Sequence, residues 1–79
     1  MSYQAKINKS QILFKQAESY RQQNDYENAI KYYEDSISAM GTQPSAYVGI
    51  AMCQLQRNEI NKARKNFSLA FQFSKYTKV

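Results

Sequence analysis

The chain has 79 residues, of which 43% are hydrophobic and 14% aromatic, and its formal net charge is +5. This length allows one domain at most, and the apolar content excludes a disordered tail. The sequence contains no histidine and one cysteine, Cys53, so it can form no internal disulfide and offers no imidazole base. Because it also lacks a Gly-rich phosphate loop and clustered metal ligands, it predicts no enzyme, no cofactor and no metal site.

Two features bear on location and surface charge. Residues 1–10 lack the apolar core of a secretory signal, and no segment is long enough to cross a membrane. Together with the unpaired cysteine, this predicts a cytoplasmic protein. Five of the six acidic residues lie in the first half and none follows Glu59. The last helix is therefore expected to have a basic outer face.

The first helix is indicated by Leu13, Ala17 and Tyr20, whose spacings of four and three place them on one face. Residues 1–9 are predicted to be an N-terminal extension that continues into this helix. The pattern ends before Asn24, which tolerates the left-handed conformation that closes a helix. Asp25 can then cap the next helix.

Three further helices follow along the chain. The second is predicted from about Tyr26 to Met40, and Gly41 ends it. The third is predicted from about Pro44 to Gln56, because proline is favoured in a first turn. A second asparagine-acid turn then leads into the fourth helix, and no segment shows the alternation of a strand. We therefore predict an all-α fold of two antiparallel helix hairpins in a right-handed stack.

The chain matches itself when it is shifted by 34 residues. A repeat of this length is typical of stacked helical hairpins, each of which cannot bury its apolar face alone. Alanine lets the two helices of a hairpin cross closely. The aromatic residue one turn later is expected to fill the wedge beside that crossing. The recurring pairs are Ala17 and Ala51, Gln22 and Gln56, Asn24 and Asn58, Ala29 and Ala63, Lys31 and Lys65, and Tyr33 and Phe67.

These residues resemble the tetratricopeptide repeat family. The most specific stretch is 24–33, which has the turn, the small residue and the aromatic residue in the order of that family. The first repeat would span residues 10–43 and the second residues 44–79. The chain departs from the family pattern in three ways: neither turn has the usual glycine, Gln54 replaces an aromatic residue, and Pro44 comes three residues late.

The resemblance implies a ligand groove along the first helix of each hairpin. Members that clamp an acidic carboxylate tail place lysine, asparagine and arginine there in a set pattern. That pattern is missing here, so binding of a chaperone tail is disfavoured. The residues that we expect to line the groove are Phe14, Glu18, Arg21, Val48, Met52 and Leu55.

The third helix is apolar almost all the way round, and two hairpins cannot cover every side of it. We therefore hypothesise that an amphipathic helix of a partner protein lies in the groove. The alternative is that residues 1–9 fold back over this helix, or that the stack curls tightly enough to cover it.

A second apolar surface is predicted at the C-terminal edge, where aromatic residues normally pack beneath a further repeat. Repeat arrays need a polar cap at such an edge. We expect a second subunit, either another copy or a different protein, to cover the edge interface, which consists of Leu69, Phe71, Phe73 and Tyr76.

The resulting functional hypothesis is a small protein-interaction module, an adaptor or co-chaperone in a hetero-complex or homo-oligomer. By size and fold it resembles the needle-subunit co-chaperones of bacterial type III secretion. One alternative is a basic helical protein associated with nucleic acid, which the spread of the charges and the lack of a recognition motif disfavour. The other alternative is a self-associating scaffold subunit.

Overall fold

The computed structural model describes residues 2–41 and 43–77, except for the side chains of residues 76 and 77. Its four helices are α1 (Tyr3–Gln22), α2 (Tyr26–Met40), α3 (Pro44–Gln56) and α4 (Ile60–Thr77). This part of the chain contains no strand, so the all-α prediction is confirmed, as are the bounds predicted for the second and third helices. Residues 3–9 extend α1 and do not fold back over α3.

Both hairpins are closed by the same turn. Asn24 and Asn58 adopt positive φ angles of 63° and 60°, the left-handed conformation that asparagine tolerates better than most residues. The amide of Asp25 donates to the carbonyl of Tyr20 at 2.9 Å, and the equivalent bond closes the second hairpin at 2.8 Å. The Asp25 carboxylate accepts from the backbone amide of Asn28, as a capping residue does. The turn chemistry predicted from the repeat is confirmed.

The crossing of the two helices in each hairpin is made by alanine. Ala17 and Ala29 are fully buried where α1 meets α2, and Ala51 and Ala63 are fully buried where α3 meets α4. Any larger side chain at these positions would force the helix axes apart, because interiors are close-packed. The prediction made from these four positions is confirmed.

The joint between the hairpins depends on Tyr33 and Gly49. Tyr33 of α2 is the largest fully buried side chain, and its ring lies directly on Gly49 of α3. A Cβ atom at Gly49 would lie only 2.6 Å and 2.7 Å from two ring carbons of Tyr33. Glycine is therefore required at this position for space. Cys53 lies in the same buried cluster, where burial raises the pKa of its thiol.

The second aromatic of the repeat behaves differently from the first. Phe67, in register with Tyr33, is 37% exposed, whereas Tyr33 is fully buried. The prediction that both aromatics fill a wedge is therefore wrong for Phe67. The reason is that Tyr33 is covered by the next hairpin, and the described residues place no hairpin after α4.

A buried polar network fastens α1 to the end of α2 and to the link before α3. Ser36 donates its hydroxyl to the carbonyl of Ser10 at 2.9 Å. The side-chain amide nitrogen of Gln43 donates to the Ser10 hydroxyl at 2.6 Å and to the backbone carbonyl of Ser36 at 2.8 Å. The polar groups of these three side chains find hydrogen-bond partners within the network, so they can be buried at little cost. The bonds of Gln43 also fix the position at which α3 begins.

The close contact between Tyr33 and Gly49 predicts that Gly49→Ala destabilises the wild-type chain but not a chain that lacks the Tyr33 ring. Gly49→Ala should lower the free energy of unfolding of the wild-type chain by roughly 1–3 kcal/mol, because the methyl group overlaps the Tyr33 ring. In a Tyr33→Leu background, which lacks the overlapping ring atoms, the same change should be neutral or stabilise by up to about 1 kcal/mol, since alanine is the better helix former. Urea unfolding followed by circular dichroism measures all four chains. Equal destabilisation in both backgrounds would contradict a steric role for Gly49.

Candidate functional site

The candidate groove lies between α1 and α3, and its α3 wall is apolar. Val48, Met52 and Leu55 follow one another at spacings of four and three, so they form a single row on α3. Each is between 36% and 43% exposed. The exposure of these three side chains agrees with the sequence analysis, and their role in binding a partner stays a prediction.

The α1 wall is mixed in character. Phe14 is partly buried, and its ring and that of Tyr33 pack in a T-shaped arrangement with 5.6 Å between centroids. One and two turns further on, Glu18 and Arg21 form an ion pair with 2.8 Å between nitrogen and oxygen. The two side chains are only 30% and 26% exposed, so they are held against the surface and do not extend freely into solvent.

Tyr33 lies buried beneath this groove and binds both members of the ion pair. Its hydroxyl donates to the Glu18 carboxylate and accepts from Nε of Arg21, which lies 3.0 Å away. Burial, followed by the bond to Glu18, raises the pKa of Tyr33. The hydrogen bond to Glu18, followed by that to Tyr33, raises the pKa of Arg21. Because Arg21 already has two partners, it is not a free cation for a ligand carboxylate.

Two clefts mark the ends of the groove. A cleft of about 550 Å³ lies at the Phe14 end, where α1 faces the start of α3. A smaller one of about 280 Å³ lies at the Arg21 end and includes Met52 in its lining. Groove residues from both walls therefore lie next to open volume. The larger cleft is lined by Ser10, Gln11, Phe14, Lys15, Gln43, Pro44 and Ser45.

The residues predicted for the C-terminal edge are not all on one surface. Phe71 is 64% exposed, while Leu69 is only partly exposed. Phe73 is not part of an open edge as predicted, because its ring packs on Tyr47 of α3 with 5.3 Å between centroids. The side chain of Tyr76 lies outside the described residues. The structure instead places Ile60 and Phe67 among the exposed apolar residues of α4.

Sequence reasoning missed two contributions to the site. It treated Tyr33 only as a packing residue, although its buried hydroxyl binds Glu18 and Arg21, which lie on the groove wall. It also assigned no packing role to Gly49, which makes room for the Tyr33 ring at the joint. The available signal was the glycine itself, since glycine in a helix interior costs about 1 kcal/mol and needs a packing reason.

Four helices in two hairpins with a shared turn and a 34-residue register define a helical-hairpin repeat protein. The comparison with protein families agrees, since the tetratricopeptide repeat matches residues 20–69. The chain belongs to the tetratricopeptide repeat family. This match gives no support for the narrower resemblance to type III secretion co-chaperones. No curated protein and no solved structure matched the chain significantly.

Membership of the family has a general functional meaning. Tetratricopeptide repeats are generally non-catalytic modules that bind protein partners. Among the described residues, no group of three or more histidine, cysteine or acidic side chains could hold a metal ion. Within the same residues, none of the helices combines the length and apolar character that crossing a membrane requires.

The Tyr33 hydroxyl predicts a loss of stability at alkaline pH. Because folding raises the pKa of Tyr33 above the value of about 10 for an unfolded chain, its stabilising contribution is complete below about pH 10 and is lost as the pH rises further. The difference in unfolding free energy between wild type and Tyr33→Phe should fall by at most about 1.4 kcal/mol per pH unit above that point. Urea unfolding of both chains at several pH values checks this. A difference that stays constant between about pH 8 and 11 would refute it.

Proposed function

We propose that this protein is a small protein-interaction module, an adaptor or co-chaperone that holds an amphipathic helix of a partner protein in the groove between α1 and α3. The observation that carries the proposal is the exposed row of Val48, Met52 and Leu55. Water-exposed apolar rows on this scale favour burial against a partner, at about 25 cal/mol for each Å² removed from water.

The dimensions of the row favour a helical ligand. Val48 and Leu55 are seven residues apart, which is about 10 Å along a helix. That is two turns, the distance over which a partner helix presents anchors at positions i, i+4 and i+7. Met52 lies at the centre, and its flexible thioether can adapt to anchors of different shape.

The opposite wall favours the side of a helix over a chain terminus. A terminal carboxylate needs a free cation or several donors directed at it. Arg21 already serves Glu18 and Tyr33, so it offers little to such a group. The apolar part of this wall is the partly buried ring of Phe14, beside which Gln11 and Lys15 line the larger cleft. An apolar helix face packing between Phe14 and the α3 row fits these properties.

The first test uses two matched substitutions. Leu55→Asp places a charge in the groove. Ile12→Asp is the control, because it places the same charge at an apolar residue that is 58% exposed but lies outside the groove. Ile12 is about 200° around α1 from Phe14. We expect Leu55→Asp to abolish retention of the natural partner on the immobilised protein, and Ile12→Asp to leave it unchanged. Circular dichroism must show equal helicity for all three chains. Loss of helicity in Leu55→Asp alone would show instead that Leu55 is part of the core.

A second measurement locates the ligand. The chain has three methionines, and Met52 lies in the groove while Met40 ends α2. Addition of a retained partner, or of its helical peptide, to methyl-labelled protein should shift the Met52 methyl resonance and leave Met40 unchanged. A partner that binds without moving the Met52 resonance would place its site elsewhere and overturn the proposal.

A further inference from the structure

The outer face of α4 carries a second row of residues, separate from the groove. Its members follow at spacings of four, three, four and four, which keeps them on one side of the helix. The three apolar members are among the exposed residues of the chain. We call this row the edge stripe, and it consists of Ile60, Arg64, Phe67, Phe71 and Lys75.

The first hairpin shows what covers such a stripe. Shifted back by 34 residues, the apolar members of the edge stripe correspond to Tyr26, Tyr33 and Ile37 of α2. All three pack in or against the buried core. The cover of Tyr33 is α3, which makes room for the ring with Gly49. A stripe of this kind is therefore covered by a helix that has a small residue facing the central aromatic ring, as Gly49 faces Tyr33.

The edge stripe differs from its counterpart in charge. Arg64 replaces Ile30, and Lys75 replaces Gly41. Nζ of Lys75 lies 4.7 Å from the centre of the Phe71 ring, so the cation is part of the same surface. Within the described part of the chain, the acidic residues that form ion pairs are Glu18 and Glu59, and neither pairs with Arg64 or Lys75. The stripe thus combines apolar rings with unneutralised cations.

Neither α1 nor α4 of a second copy of this chain fits the stripe. In α1, the counterpart of Gly49 is Lys15, whose side chain would occupy the space that an incoming Phe67 ring needs. Gln16 and Ser19 of α1, which correspond to the buried Ile50 and Cys53 of α3, are exposed and polar. Packing two α4 helices against each other would bring their cations together without acids to balance them.

We propose that the edge stripe binds an acidic amphipathic helix of a partner protein. Glycine or alanine in that helix lies opposite Phe67, an apolar side chain packs on Phe71, and aspartate or glutamate meets Arg64 and Lys75. This surface is independent of the groove, and one protein can use both.

The probe is a stapled helical peptide of about 20 residues, because shorter isolated helices are marginally stable in water. Its contact face copies the α3 residues Ala46, Gly49 and Ile50, and glutamates flank that face. One control peptide has leucine in place of the glycine, and another has lysines in place of the glutamates. Binding is measured by fluorescence anisotropy at low and high salt.

We expect the acidic peptide to bind, with weaker affinity at high salt. Phe71→Glu should weaken it by about tenfold or more, and Arg64→Glu with Lys75→Glu should transfer the preference to the lysine peptide. Leu55→Asp should leave binding unchanged, which separates this surface from the groove. The leucine peptide should not bind, because it has no room for Phe67.

Four results would overturn the proposal. They are absence of binding by the acidic peptide, equal binding of the acidic and lysine peptides, displacement of the acidic peptide by a DNA or RNA oligonucleotide, and self-association of the wild-type chain that Phe71→Glu removes. Sedimentation of wild type and Phe71→Glu tests the last, and a monomer in both supports the proposal.

Discussion

The contact of the Tyr33 ring with Gly49 connects every other feature of this molecule. Here a large side chain of one hairpin enters the other at a position that has no Cβ atom to keep the two apart. The ring is completely buried, yet its hydroxyl continues past the joint to the Glu18–Arg21 pair in the groove. One residue therefore fixes the packing of the hairpins and the electrostatic character of the surface beside them.

The two exposed surfaces have the same origin. A hairpin in a repeat array has an inner face that it buries by itself and an outer face that a neighbour must bury. Here α3 covers the outer face of α2, whereas the corresponding face of α4 remains exposed. The groove row on α3 is exposed for a related reason, since α2 and α4 cover only two sides of an apolar helix.

Much of the fold could be predicted from local chemistry. Asparagines at positive φ, an aspartate cap and the recurring alanines determine turns and crossings through interactions within one hairpin. Exposure of Phe67 could not be predicted in this way, because it depends on whether another helix lies against that face of α4. The packing of Phe73 on Tyr47 and the Ser10–Ser36–Gln43 network were also missed. They join side chains that are distant in sequence, and the repeat does not contain their partners in register.

The position of Cys53 in the joint between the hairpins determines how reactive its thiol is. Its thiol is fully buried in a cluster with Tyr33 and Ile50, and this burial raises the pKa of the thiol. The thiolate is the form that reacts with oxidants and alkylating reagents, and burial hinders both its formation and its access to them. Modification becomes possible once the hairpins separate. Alkylation of Cys53, detected by mass spectrometry, is therefore expected to report separation of the hairpins.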